Sequence, residues 1–113
     1  MHKGKILIID DETDFCLLMK SYFMRKNYKV FIAETLKAGL ELLEALVPDI
    51  LFLDNNLPDG FGWSQTNGIL KQNPAIKIYL ISAYKPSAEE FKDLANVNIW
   101  EKPISKNKLD EIF

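Results

Sequence analysis

Apolar residues recur along this chain in two alternating rhythms: short runs apolar at every position, and longer stretches apolar at every third or fourth. Lys5–Ile9 is a compact isoleucine-rich run closed by Asp10-Asp11-Glu12. Phe15, Leu18, Met19, Tyr22 and Phe23 follow at the spacing of one helical face. Asn27 ends that helix, and Tyr28–Ala33 predicts a strand. Thr35 stands where an N-cap is wanted, ahead of Leu36, Leu40, Leu43 and Val47 on one face, and Pro48 stops this second helix. Ile50–Leu53 is another wholly apolar run, closed by Asp54.

Asn55 to Gly62 is dense in turn formers and predicts a loop. Trp63–Asn73 predicts a third, poor helix, since Gly68 in its middle costs about 1 kcal/mol against alanine. After Pro74, Ile76–Ile81 reads as a strand ending at Ser82-Ala83. Ser87 predicts the cap of a short fourth helix with Phe91, Leu94 and Ala95 inward. Val97–Glu101 is a fifth strand, followed by Lys102-Pro103 and a last helix over Ser105–Phe113 with Leu109, Ile112 and Phe113 on one face. Strands apolar on both sides, separated by helices, imply a parallel sheet covered on both faces. Right-handed crossovers make that an α/β fold: a (βα)5 doubly wound three-layer sandwich. At 113 residues the chain forms a single domain, 1–113.

Composition narrows the functions available. Fourteen basic against sixteen acidic residues give a net charge of −2, and Arg25 is the only arginine. A nucleic-acid binder needs a basic face to displace counterions, so direct nucleic-acid binding is not expected. Cys16 is alone, which excludes an internal disulfide and a cysteine zinc site; it reads as a small, partly buried apolar residue. Membrane spans take ~20 apolar residues, and none is present. The basic start, Met1 to Lys5, is followed by an apolar stretch too short for a secretory signal. The expectation is a soluble cytoplasmic protein.

In an open parallel sheet, ligands bind beyond the carboxyl ends of the strands. The first strand ends at Asp10-Asp11, the third at Asp54, the fourth at Ser82 and the fifth at Lys102; the second ends at Ala33-Glu34 without an assigned role. Two like charges ~4 Å apart repel by ~4 kcal/mol at an effective dielectric near 20. A cation relieves such a cluster, and carboxylate oxygens without His or Cys select a hard ion, Mg²⁺ or Mn²⁺. Lys102 adds positive charge for a phosphoryl group and Ser82 a hydroxyl donor. Asp54 is then the candidate nucleophile, forming an aspartyl phosphate. Singly, Asp10 and Asp11 also read as helix caps, Asp54 as a turn residue, Ser82 as a strand end and Lys102 as a surface lysine. Gly60-Phe61-Gly62 fits no nucleotide fingerprint. His2, the only histidine, sits on the tail, so histidine chemistry has to come from another protein.

The motifs ILIIDDE (6–12), PDILFLDNNLPDGFG (48–62), YLISA (79–83) and EKPI (101–104) together resemble the receiver (CheY-like) domain of bacterial two-component response regulators. The resemblance covers the chain from Lys5 to the final helix. It implies the flavodoxin-like sheet order 2-1-3-4-5 and a signalling domain, not a turnover enzyme. It implies Asp54 as phosphoacceptor and Asp11, Asp54 and the Asn56 backbone carbonyl as direct Mg²⁺ ligands, with Asp10 holding the metal through water. Ser82 and Lys102 would bind the phosphoryl group, with a cis peptide at Lys102–Pro103. The implied partners are a sensor histidine kinase or phosphotransfer protein as donor and a downstream effector or fused output domain. The implied output face is the fourth helix, fifth strand and fifth helix.

Three departures stand out. Ile99 occupies a position often held by Tyr or Phe, and Trp100 beside it should point to the opposite face. The Ser82–Lys102 stretch is about two residues short by spacing, with Asn96-Val97 in place of the usual Gly-Ala. The last helix stops at Phe113, which reads as either a stand-alone receiver or one separated from an output domain. Ile99 and the shortened fourth helix motivate an alternative, a phosphorylation-independent (pseudo-receiver) interaction module. An aspartate-nucleophile phosphatase would need a second aspartate where Asn56 stands. Tyr84 is expected to obstruct the water that attacks the aspartyl phosphate, so Tyr84→Ala should speed dephosphorylation.

Overall fold

The computed structural model describes residues 2–84 and 89–113. Strands β1 (Lys5–Ile9), β2 (Lys29–Ala33), β3 (Ile50–Asp54), β6 (Lys77–Ser82) and β7 (Val97–Glu101) form one parallel sheet in the order β2-β1-β3-β6-β7. The two remaining strands, β4 (Asn56–Leu57) and β5 (Gly60–Phe61), pair only with each other as a short antiparallel ribbon. With that ribbon set aside, the order is the expected 2-1-3-4-5, a CheY-like flavodoxin-type α/β fold. The sheet carries α1 (Thr13–Arg25), α2 (Leu36–Leu46), α3 (Thr66–Gln72) and α4 (Lys106–Ile112).

Side chains of a strand alternate between faces, so the continuous apolar runs build two cores. Ile6, Ile8, Phe52, Tyr79, Ile81 and Trp100 pack with Cys16, Met19 and Phe23 of α1 and Leu109 of α4. Leu7, Ile9, Leu51, Leu53, Ile78 and Leu80 pack with Leu36 of α2 and Ile69 of α3. Gly39 of α2 lies so close to the sheet that a Cβ there would collide with Ile9 Cδ1.

Several inward positions differ from expectation. In α1 the buried line is Cys16, Met19 and Phe23, while Leu18 is 72% exposed; the apolar arc of this helix is wider than the stripe that meets the sheet. Thr35 does cap α2, its Oγ1 accepting the Ala38 amide at 3.1 Å. Val47 is 62% exposed, not inward. A residue before proline is disfavoured from right-handed helix, and Val47 leaves it with φ of 46°. Among the described residues a single 3-10 turn, Glu89–Phe91, stands in place of the expected fourth α-helix. Leu94 N–H bonds Phe91 O and Val97 N–H bonds Leu94 O, both at 3.1 Å. That threefold spacing lines up Phe91, Leu94 and Val97 and leaves Ala95 outside, exposed. The expected cap at Ser87 lies outside the described residues. In α4, Leu109 is buried and Phe113 partly so, but Ile112 is exposed.

Candidate functional site

Parallel strands all end on one edge of their sheet, and the register brings these ends level. Ile9 pairs with Leu53, Asp54 with Ile81, and Ser82 with Glu101. Asp10 and Asp11 therefore follow β1 beside Asp54, the last residue of β3. Ser82 closes β6, and Lys102 follows β7. The Lys102–Pro103 peptide is cis, and the Lys102 amide donates to Ser82 O at 2.8 Å.

Asp10, Asp11 and Asp54 each offer a carboxylate oxygen, all within 4.8 Å of one another. Asp10 is fully buried, Asp54 is 7% exposed, and Asp11 is open to solvent. Asp10 Oδ1 accepts the Glu12 amide at 2.8 Å. Asp10 Oδ2 is buried and is held by the Lys102 ammonium at 2.6 Å. Lys102 also meets Glu12 Oε1 at 3.1 Å and lies 4.4 Å from the centre of the Phe15 ring. Among the described residues it makes no ion pair with Asp54.

Electrostatics follow from this packing. Burial, then the charge on Asp10, raises the Asp54 carboxyl to about 6, with Lys102 and the Asn55 amide pulling the other way. Burial also raises Asp10, against its bonds to Lys102 and Glu12. For Lys102, burial lowers the pKa, but contacts with Asp10 and Glu12 and the charge of Asp54 outweigh it and leave the ammonium above its ordinary range. Three crowded carboxylates, of which only Asp10 is paired with a cation among the described residues, fit a metal ion. The all-oxygen donor set suits Mg²⁺ or Mn²⁺. Asn56, the implied carbonyl ligand, sits in β4 two residues past Asp54.

Ser82 is buried, and its hydroxyl accepts the Tyr84 amide at 3.2 Å; the Tyr84 side chain is exposed. Ile99 packs with the core under α2 and α3. Trp100 lies on the other face, its ring centre 4.7 Å from that of Tyr79. Strand alternation thus holds, and Trp100 does not replace an aromatic ring at position 99. His2 is exposed on the tail, as expected.

Local sequence reading missed four residues that shape the site. Glu12 and Phe15 contact Lys102 across the fold. Asp59 reaches from the ribbon to the start of α2, accepting the amides of Leu36 at 2.7 Å and Lys37 at 2.9 Å. Trp63 donates its indole N–H to Leu53 O at 3.0 Å and its amide to Asn55 Oδ1 at 3.2 Å. Beside it, Gly62 leaves no room for a Cβ, which would strike the Asp54 carbonyl oxygen. Gly60-Phe61-Gly62 marked a turn in the sequence without showing what it packs against; the ion pairs and caps join residues too distant in sequence to read.

Comparison with known proteins places this arrangement. A profile of the response regulator receiver domain matches residues 6–113. The chain is 30% identical over 106 residues to the transcriptional regulatory protein YxdJ of Bacillus subtilis, covering 90% of this chain and 45% of that protein. It is 28% identical over 116 aligned positions to sporulation initiation phosphotransferase F of the same organism, covering 99% of this chain and 90% of that one. A receiver domain protein (CheY-like) from Methanospirillum hungatei has the same fold, with a TM-score of 0.85 at 28% identity over 95% of this chain and 87% of that one. Sheet order, strand-end chemistry and a match across nearly the whole sequence agree, and the chain belongs to the response regulator receiver domain family.

Proposed function

We propose that this domain takes a phosphoryl group from a sensor histidine kinase, or a phosphotransfer protein, onto Asp54 in a Mg²⁺-dependent reaction. The observation that carries this reading is the gathering of three carboxylate oxygens within 4.8 Å, with Ser82 and Lys102 at the same sheet edge. Asp54, raised only to about 6, is ionised at neutral pH and free to act as nucleophile. One O–P bond forms at its carboxylate while one P–N bond breaks on the donor imidazole. That imidazole, protonated on its other nitrogen, leaves neutral. Asp10, Asp11 and Asp54, with the Asn56 carbonyl, would hold the divalent cation, which supplies positive charge against the phosphoryl oxygens. Lys102 pairs with a phosphoryl oxygen and Ser82 donates its hydroxyl to another.

The domain is a signalling switch that receives and slowly loses one phosphoryl group, and it turns over no external substrate. A cytoplasmic setting and an effector or output domain downstream belong to the same reading. The output face comprises the segment after β6, β7 and α4. Acetyl phosphate plus Mg²⁺, followed by intact-mass measurement, should add one phosphoryl group to wild type and none to Asp54→Ala. An unmodified wild type, where a control receiver labels, overturns the proposal. Ile99 favours one other reading, a phosphate-independent interaction module. Partner affinity identical in wild type and Asp54→Ala, with and without acetyl phosphate, would establish it instead.

A further inference from the structure

We infer that Glu12 is a positioning residue that tethers Lys102 at the start of α1, so that the lysine must leave this carboxylate before it can meet a group carried on Asp54. The inference rests on the phosphoryl-accepting reading above and names a residue that controls it. Lys102 is largely buried, yet it makes no ion pair with the Asp54 nucleophile among the described residues. Its ammonium is shared between Asp10 Oδ2 at 2.6 Å and Glu12 Oε1 at 3.1 Å, and lies over the Phe15 ring.

Among the described residues the Glu12 carboxylate has no hydrogen-bond or ion-pair partner other than Lys102. It stands at the N-cap of α1, but no side-chain cap bond forms there. The bond between this residue and Asp10 uses the Glu12 backbone amide, which any residue supplies. The carboxylate is 59% exposed and fills no core space. It therefore acts on the ammonium and can be changed without disturbing packing.

The consequence is a competition. A phosphoryl group, or a mimic of it, on Asp54 draws Lys102 toward itself, and Glu12 holds the lysine back. Glu12→Gln keeps the size and removes the charge, so it favours the engaged state. With the Glu12 carboxylate exposed, the pair is weighed as a surface ion pair, which corresponds to about two- to five-fold in an equilibrium constant. Asp14→Asn serves as the control: it removes one exposed acidic charge from the same first turn and has no ion pair with Lys102.

The test has two arms. Beryllofluoride affinity at saturating Mg²⁺, followed by tryptophan fluorescence, should rise about two- to five-fold in Glu12→Gln and stay at the wild-type value in Asp14→Asn. In the metal-free protein, ¹⁵N NMR of the lysine ammonium groups should show the Lys102 signal broadened or shifted by Glu12→Gln and not by Asp14→Asn. Unchanged affinity in Glu12→Gln, an equal change in both variants, or an unmoved ammonium signal each overturns the tether. Failure of wild type to bind beryllofluoride at all overturns the phosphoryl-accepting reading and the competition together. That failure is told apart from loss of the tether alone by the metal-free spectrum.

Discussion

Burying the Asp54 carboxyl carries a cost to folding. Its carboxyl is raised from 3.8 to about 6 in the folded chain, so the folded state disfavours the ionised form. The penalty is absent below about pH 4, grows as pH rises, and is complete above about pH 6. About two units correspond to roughly 3 kcal/mol. Asp54→Asn should therefore stabilise the domain by up to about that much at pH 7.5 and by almost nothing at pH 4, measured by urea unfolding at both values. Saturating Mg²⁺ should close the gap, because it stabilises the wild type by binding the ionised site. The same proton competes with metal, so Mg²⁺ affinity measured by calorimetry should fall as pH drops through about 6. A gain from Asp54→Asn that does not vary with pH would contradict the buried-charge account.

Two helical glycines show how elements differ in what they demand. Gly39 of α2 presses on the fully buried Ile9, and an added Cβ would overlap that side chain. Gly68 of α3 faces open space, with nothing near where a Cβ would stand. Gly39→Ala should cost about 1–3 kcal/mol by overpacking, whereas Gly68→Ala should gain about 1 kcal/mol from helix propensity. Thermal melts of the two variants, shifted in opposite directions, check this. The poor helix predicted over Trp63–Asn73 does shrink to α3, Thr66–Gln72, after a 3-10 turn, Gly62–Gln65. The sequence signalled weakness there through Gly68. It could not signal that Gly39 is required, because the contact that requires it lies on β1, thirty positions away. Helix ends were more legible: Thr35 and Pro48 bound α2 through local chemistry that does not depend on the rest of the fold.

At the scale of the whole molecule, stability is uneven. β1 and β3 lie inside the sheet, buried on both faces between two cores. The stretch from Glu89 to Ala95 holds a single 3-10 turn and mostly exposed side chains, with Phe91 as its buried anchor against Trp63. Amide hydrogen exchange should therefore be slowest in Ile6–Ile9 and Leu51–Leu53 and fast across Glu89–Asp93. Comparable protection in the two regions would refute this division. Phe91 reaches the Trp63 ring edge-on at 6.0 Å, and Trp63 is bonded to Leu53 and Asn55 on either side of Asp54. The Glu89–Phe91 turn is thus joined by packing to the loop that follows Asp54.

The sequence by itself determined the alternation of strands and helices, the parallel two-faced sheet, and five strand-end residues, Asp10, Asp11, Asp54, Ser82 and Lys102. Each follows from local periodicity or from the rule that parallel strands finish on one edge. Tertiary structure alone decided which carboxylates hold Lys102, that Asp59 of the ribbon caps α2, and that Glu89–Phe91 forms a 3-10 turn followed by an exposed Ala95. Those outcomes depend on distances between side chains far apart along the chain, which are set by how helices seat on the sheet. Periodicity records which face of an element is apolar. It does not record what charge another element brings to that element's end.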